Sequence, residues 1–203
     1  MSLWNTTSRE QNGELIPGTF LKAFIHNGGT YYLADIKIYK DAVVDCWGLV
    51  DFETFKQKVA SGWVVTTLPE GAKVSVSLLA EFRAVGVGSW VREGEFVKEV
   101  ADEIERLNGR PTTIEKCSAA YKKFLAEESE EARDFLRQAY EAVPEHNRRF
   151  VLGDMDVKDI PVRMIIYGED EVEKWSHRQV AKSLGIEPPP TISVKGALKK
   201  KKG

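Results

Sequence analysis

Alternating apolar and polar residues dominate the first half of the chain and predict β-strands. A strand is expected at Phe20–Ile25, and the following Asn27-Gly28-Gly29 predicts a hairpin turn because these residues accept positive φ. Within Tyr31–Tyr39 the odd-numbered side chains fall on one face of a strand and the even-numbered ones on the other. Further strand-like runs follow at 43–49, 63–68 and 74–82.

One short helix interrupts these strands. Phe52, Phe55 and Val59 recur at the spacing of a single helical stripe. Residues 1–14 are polar and predict a loose arm. We therefore expect a small antiparallel sheet or open barrel over residues 15–93, with one helix inserted.

The apolar spacing then becomes helical. It predicts a helix from Phe96 that ends before Gly109, a second helix from Thr112, and a third from Ser129 to Pro144. The apolar stripe expected to be buried in the third helix is Ala132, Phe135, Leu136, Ala139, Tyr140 and Val143.

The last part of the chain predicts two strands and a helix. Phe150–Leu152 and Pro161–Tyr167 read as strands, and Glu169–Leu184 reads as a helix capped by Gly185. The predicted class is α+β, a β-rich part followed by a helical segment and a C-terminal αβ element. We divide the chain into an arm at 1–14, a β-rich domain at 15–93, a helical and αβ domain at 94–194 and a basic tail at 195–203.

Composition excludes several classes of protein. The 203 residues are 42% hydrophobic and 10% aromatic, which argues against disorder throughout. The sequence has no apolar run of the roughly 18 residues that a membrane span needs. Its first residues lack the basic start and apolar core of a signal peptide. Two cysteines, Cys46 and Cys117, are too few for a disulfide scaffold, so we expect a cytoplasmic protein.

The charge of the chain is unevenly distributed. Its 29 basic and 31 acidic residues give a net charge of −2, yet the body without the tail lysines carries −7. Those five residues are Lys195, Lys199, Lys200, Lys201 and Lys202. They predict either a solubilising terminus or a salt-dependent contact with nucleic acid, because lysine binds phosphate without reading bases.

Three segments resemble a known group of proteins. Residues 45–56, 61–72 and 148–168 are similar to stretches of an uncharacterised bacterial protein family, a domain of unknown function. The resemblance implies a bacterial origin and a two-part arrangement. It implies no activity, cofactor or catalytic residue.

An acidic cluster is the candidate metal site. Asp154, Asp156 and Asp159 lie on a turn-rich segment, and carboxylates spaced in this way can converge on Mg²⁺ or Ca²⁺. A metal held there would activate water for phosphodiester cleavage. The spacing does not match an EF-hand loop. The alternative is a solvated turn whose aspartates cap their own backbone, and the spacing favours it.

Two basic clusters are the candidate phosphate site. Arg148 and Arg149 follow His146, and Arg178 follows His177. Brought together, they would bind a polyanion beside a histidine able to transfer protons near neutral pH. The alternative is a set of unrelated surface histidines. No zinc-ligand spacing is present.

The cysteines and aromatic residues are expected to pack in the core and not to form a catalytic or nucleic-acid-binding site. Acidic neighbours, Asp45 and Asp51, would raise the pKa of Cys46, and Cys117 lies on an apolar helical stripe. No serine-nucleophile, P-loop or dinucleotide motif is present. The aromatic residues of the first half are expected to fill a core, because no basic groove accompanies them: Tyr31, Tyr32, Tyr39, Trp47 and Trp63.

These observations favour a non-catalytic accessory protein that binds a protein partner or a nucleoprotein assembly and uses no cofactor. The alternative is a metal-dependent phosphate-ester hydrolase that uses Asp154, Asp156 and Asp159. A third hypothesis is a regulatory or immunity-type partner of a larger enzyme. It predicts an exposed apolar patch of several hundred Å² on the N-terminal half.

Overall fold

The computed structural model describes residues 5–153, 158–168, 171 and 174–187. It contains two compact units. Unit 1 comprises residues 1–112 with 144–146, and unit 2 comprises residues 113–143 with 147–203. Strands and helices are both abundant, and the predicted α+β class is confirmed.

Unit 1 is built on one sheet with two helices. Its strands are β1 (Thr6–Gln11), β2 (Glu14–Asn27), β3 (Thr30–Tyr39), β4 (Val43–Asp45), β5 (Leu49–Asp51), β6 (Val64–Val65), β7 (Lys73–Val76) and β8 (Ala80–Arg83). Its helices are α1 (Phe52–Ala60) and α2 (Glu93–Leu107). The strands follow the order β1-β2-β3-β4-β5, while β6 adds to β2, β7 adds to β3 and β8 adds to β7.

The long β2–β3 hairpin sets which residues are buried. Its register pairs Ile25 with Tyr32 and Leu21 with Ile36, so one face carries the even-numbered residues of β3, as predicted. Helices α1 and α2 cover this face. The residues at the centre of the resulting core are Ala23, Ile25, Ile36, Ile38, Phe55, Val59, Phe96 and Val100.

The predicted loose arm is wrong for residues 6–11, which form β1. Asn12 and Gly13 take positive φ values of 55° and 83° and form the turn that folds β1 back on β2. Thr19 of β2 also donates from its hydroxyl to the Asn5 carbonyl at 2.7 Å. A polar strand forms here because backbone pairing with β2 requires no apolar side chain.

Three predicted strands are shorter than their apolar runs. The 43–49 run divides into β4 and β5, and only Val64–Val65 of the 63–68 run is a strand. The 74–82 run is a hairpin of β7 and β8 that turns at Leu78, where φ is 57°. These turns were predicted as strand because they contain apolar residues, whereas turns are usually marked by Gly, Asn or Pro.

Unit 2 is helical throughout its described part. It contains α3 (Thr113–Glu127), α4 (Glu130–Ala142), α5 (Ile160–Tyr167) and α6 (Ser176–Ser183). A 3-10 helix spans Glu145–Phe150, and its residues 147–150 belong to unit 2. Ser129 caps α4 as predicted, accepting from the Ala132 N–H at 3.1 Å. Buried residues of α3, α4 and α5 form its core: Cys117, Ala120, Phe124, Leu136, Tyr140, Val162 and Ile166. Every helix among the described residues is too short or too polar to traverse a lipid bilayer.

Two predicted strands of the last part are wrong. Phe150 ends the 3-10 helix, with Val151 and Leu152 in the turn that follows, and Pro161–Tyr167 lies within α5. Pro161 is near the helix start, where its missing N–H costs nothing, and a short apolar run fits either period. The predicted helix at Glu169–Leu184 is reduced to α6 among the described residues, with Gly185 at φ 65° after its end.

Neighbouring residues of α4 differ sharply in burial, which gives a matched test of the unit 2 core. Leu136 is fully buried, whereas Phe135, predicted to be buried, is 51% exposed. We expect Leu136→Ala to lower the free energy of unfolding by about 2–5 kcal/mol because its packing is removed. Phe135→Ala removes a largely exposed ring that contacts the Lys123 ammonium. We expect this substitution to lower the free energy of unfolding by about 1 kcal/mol or less. Urea denaturation of both variants checks this, and equal losses of stability would contradict the packing described.

Candidate functional site

The predicted metal cluster is not assembled within the described residues. Asp154 and Asp156 lie outside them. Asp159 accepts a hydrogen bond from the Tyr140 hydroxyl at 2.5 Å. Burial, and secondly this hydrogen bond, raise the pKa of Tyr140 far above its usual value. Among the described residues no three His, Cys, Asp or Glu side chains are placed to hold a metal, so the metal site stays a prediction.

The predicted phosphate site is also not assembled by the residues that can be placed. His146 Nε2 lies 3.1 Å from Glu99 Oε2, and a carboxylate there repels phosphate. Arg148 donates to the Glu141 and Val143 carbonyls at 3.1 and 3.2 Å. These bonds satisfy carbonyl groups at the C-terminal end of α4. Arg149 is exposed beside the Phe150 ring and stays available to an anion.

The other predicted anion-binding residues add little to that site. Arg178 is partly buried and already has an interaction partner. The His177 side chain and the tail lysines at 195–202 lie outside the described residues. Polyanion binding by these residues therefore stays a prediction.

Both cysteines are buried, as predicted. Burial raises the pKa of the Cys117 thiol to about 12. Burial is also the main cause of the raised pKa of Cys46, with Asp45 a smaller contributor and Lys58 opposing it. The predicted direction for Cys46 is confirmed, but desolvation matters more than its acidic neighbours. Neither thiol is suited to act as a nucleophile.

The aromatic residues of unit 1 only partly fill the core. Tyr39 is buried, but Trp47 is 51% exposed and stands in the turn between β4 and β5, at φ 64°. Trp47 contacts Tyr32 and Trp63, with ring centroids 5.1 and 6.4 Å apart. The expectation that all five aromatic residues are buried is therefore wrong for Trp47.

The most distinctive surface feature of unit 1 lies along the outer edge of β2. On this edge β1 pairs with β2 up to Thr19, and β6 pairs with it from Phe24 onward. The His26 N–H donates to Trp63 and the Phe20 carbonyl accepts from Asn5, both across this edge. Because backbone groups alternate between the two edges of a strand, the N–H and C=O of Lys22 also face outward. No strand among the described residues pairs with them.

An apolar groove of about 410 Å³ follows this unpaired stretch. It is lined from both faces of β2, by Leu21 and Ala23 on one side and Phe24 on the other, which places it at the strand edge. The 87–91 loop and α2 form the opposite wall. The apolar lining residues there are Val87, Trp90, Val91 and Phe96.

The two outermost lining residues are poorly protected from solvent. Trp90 is 86% exposed and Val87 is 51% exposed. Exposed apolar side chains beside an apolar groove are typical of a binding surface. In the sequence, Gly86-Val87-Gly88 matches only the start of a dinucleotide motif. The sequence feature that could have identified the 87–91 loop is an apolar run whose spacing fits neither a helix nor a strand.

Few polar groups face the groove. Glu99 lines it and also holds His146. The Lys22 ammonium pairs with Asp35. The Thr66 hydroxyl oxygen is buried and has no hydrogen-bond partner within the described residues. A predominantly apolar lining suits an apolar occupant.

Glu93 positions the loop that closes the groove. At the start of α2, its carboxylate accepts from Thr66 N–H at 3.2 Å, Thr67 N–H at 3.0 Å and the Thr67 hydroxyl at 2.5 Å. The Ser89 hydroxyl lies 2.7 Å from the Val91 carbonyl and 3.1 Å from the Thr66 carbonyl, and bonds to them. These contacts join β6, the loop and α2.

Fold and groove together define a two-unit α+β protein with an apolar groove in its first unit. A family model described as domain of unknown function (DUF7638) matches residues 6–111, more than half of the chain, and the chain belongs to this family. A second model, domain of unknown function (DUF7639), matches residues 112–186. The predicted resemblance to such a family is confirmed, and the two matches meet where unit 1 gives way to unit 2. No curated protein and no solved structure matches the chain.

The Glu93 contacts predict a pH-dependent stability. Burial acts to raise the pKa of Glu93, but the Thr67 hydroxyl and the backbone N–H donors outweigh it and lower the pKa overall. The stabilisation is therefore complete above the unfolded-state pKa and is lost as the pH falls through the lower folded-state value. We expect Glu93→Gln to cost about 1 kcal/mol at pH 7 and less under acid conditions.

Urea denaturation across pH 3–7 measures this difference. Glu10→Gln is the control, because it makes the same charge change at an exposed position of β1. A Glu93→Gln effect that stays constant over this pH range would show that the ionised carboxylate is not what holds the loop.

Proposed function

We propose that this protein is a non-catalytic, cytoplasmic bacterial accessory protein that binds an extended apolar segment of a protein partner in the β2 groove. The observation that carries this proposal is the coincidence of unpaired strand backbone with an apolar groove at one place. Backbone groups at a free strand edge supply affinity for an extended peptide, and adjoining pockets supply specificity for its side chains.

The dimensions of the edge suit a short segment. Phe20–Ala23 span about 13 Å of strand, at roughly 3.3 Å per residue. A bound segment would satisfy the Lys22 N–H and C=O, and one of its apolar side chains would enter the groove. Trp90 and Val87 would then be covered, and tryptophan is among the residues that most often dominate binding energy at interfaces.

A binding experiment with matched variants tests the groove. We expect the double variant Val87→Ser/Trp90→Ala to lose a partner that the wild-type chain retains from a lysate of the source organism. Leu15→Ser is the control, because Leu15 is 74% exposed but does not line the groove. The retained protein is identified by mass spectrometry, purified and titrated against each variant by calorimetry. Equal affinity for wild type and double variant would refute the proposal.

Hydrogen exchange tests the mode of binding in the same complexes. We expect the Lys22 amide to become protected when the partner binds, because a new strand takes up its hydrogen bond. Unchanged exchange at Lys22 in the presence of a saturating partner would exclude strand addition. A variant that begins at Asn5 is measured in parallel without partner. Faster Lys22 exchange in that variant would show that the chain's own first residues compete for the edge.

The basic tail supports a second, separable contact within such an assembly. Replacing its five lysines with glutamine is expected to weaken binding to duplex DNA. The slope of log affinity against log salt should fall by about 0.9 for each phosphate that the tail no longer neutralises. Lysine-to-arginine replacement at the same positions is the control, since it keeps the charge. Identical salt titrations for the glutamine variant and the wild type would remove nucleic acid from the proposal.

The other hypotheses differ in what supports them. The regulatory or immunity-type partner is a particular case of the groove proposal, since it rests on the same exposed apolar surface. The metal-dependent hydrolase depends on Asp154 and Asp156, and the Tyr140 hydrogen bond to Asp159 gives it no support.

A further inference from the structure

Strand β8 forms one of the open edges of the unit 1 sheet. Within the described part of the chain it pairs with β7 alone, and all four of its residues are exposed. None of them lines the β2 groove. A free edge with this degree of exposure is open to pairing with another strand unless its side chains prevent it.

The backbone of β8 presents its hydrogen-bonding groups to solvent at two residues. The Ala84 N–H donates to Ala72 at 2.9 Å and the Ala84 carbonyl accepts from Gly71 at 2.7 Å, so Ala84 is directed toward the β7 side. The backbone N–H and C=O groups of successive residues point to alternate edges of a strand. Those of Glu81 and Arg83 therefore point away from β7. These are the groups that an added strand would bond.

The sequence of this edge is self-complementary about Phe82. Glu81 and Arg83 flank Phe82 with opposite charges. Beyond them the residue types repeat symmetrically, Ala80 with Ala84 and Leu79 with Val85. An antiparallel copy of the same strand therefore places each residue opposite one of matching character.

We infer that β8 pairs antiparallel with β8 of a second copy of this chain, about a two-fold axis at Phe82. Glu81 of each copy then faces Arg83 of the other. This pair exchanges two backbone hydrogen bonds on either side of the axis, using the groups that point outward. A two-fold interface needs a self-complementary patch, and this edge is one.

Side chains add to this pairing. The two Phe82 rings meet at the axis, where the pair is not hydrogen-bonded and side chains approach most closely. Phe82 is 47% exposed in the single chain, and Leu79 and Val85 are 82% and 72% exposed.

The charged residues of this edge select its partner. Charges on an edge strand normally oppose edge-to-edge pairing, but here each meets its opposite in the second copy. Within one chain Glu81 already pairs with Lys73 at 3.1 Å, and Arg83 donates to the Gly71 carbonyl at 3.0 Å. Both contacts are at exposed positions and leave part of each charged group free for the second copy.

Charge exchange tests this inference, which does not depend on the β2 groove. Sedimentation equilibrium of the full chain is expected to show a dimer with a dissociation constant in the micromolar range. Glu81→Arg and Arg83→Glu each place like charges opposite one another, and each should weaken the dimer at least tenfold. Mixing the two variants should restore association as a heterodimer, and the double variant Glu81→Arg/Arg83→Glu should dimerise by itself.

Two controls keep the outcome interpretable. Glu53→Arg makes the same charge change on α1 and should leave the dimer intact. Thermal unfolding of each variant shows whether the fold survives. A chain that stays monomeric at about 100 µM would overturn the inference, because that concentration lies well above a micromolar dissociation constant. So would a dimer that both single variants leave intact, or two folded variants that fail to associate on mixing.

Discussion

The ten-residue pairing of β2 with β3 is the interaction on which unit 1 depends. It puts Ala23, Ile25, Ile36 and Ile38 on one face, where each is at most 3% exposed. A slip of β2 by one residue against β3 would carry Ala23 and Ile25 to the face opposite Ile36 and Ile38 and would turn Lys22 toward the core. Helices α1 and α2 can pack only on the face that this register makes apolar.

The unpaired stretch of β2 follows from the length of this hairpin. The strands that add to it are shorter than β2 and β3, so none covers an edge completely. Strands β1 and β6 take the two ends of the outer edge of β2 and leave Phe20–Ala23 between them. Strand β7 reaches β3 only over Thr30–Tyr32 and carries β8 beyond it as the last strand. The groove thus results from a mismatch in strand length, whereas the edge of β8 is open because β8 is the last strand on its side of the sheet.

The sequence predicted an element correctly where its apolar periodicity and its end signals indicated the same structure. The β2–β3 hairpin combined alternation with an Asn-Gly-Gly turn, and α2 combined a long apolar stripe with Gly109. Prediction was wrong where a short apolar run fits both periods. Pro161–Tyr167 reads as a strand but forms α5, because Val162 and Ile166 share one helical face toward the unit 2 core. On α4, Phe135 belongs to the predicted apolar stripe but remains exposed. The spacing of apolar residues alone does not show which of them the rest of the chain covers.

The sequence by itself determined the class of fold, the turn between β2 and β3, the cap of α4 and the burial of both cysteines. Each depends on residue type and spacing within one segment, and such preferences act locally. Only the tertiary structure decided that Val87 and Trp90 stand beside an unpaired stretch of β2, and that Glu93 holds Thr66 and Thr67. These contacts join residues far apart in sequence, and whether an apolar side chain is covered depends on what the rest of the chain brings to it.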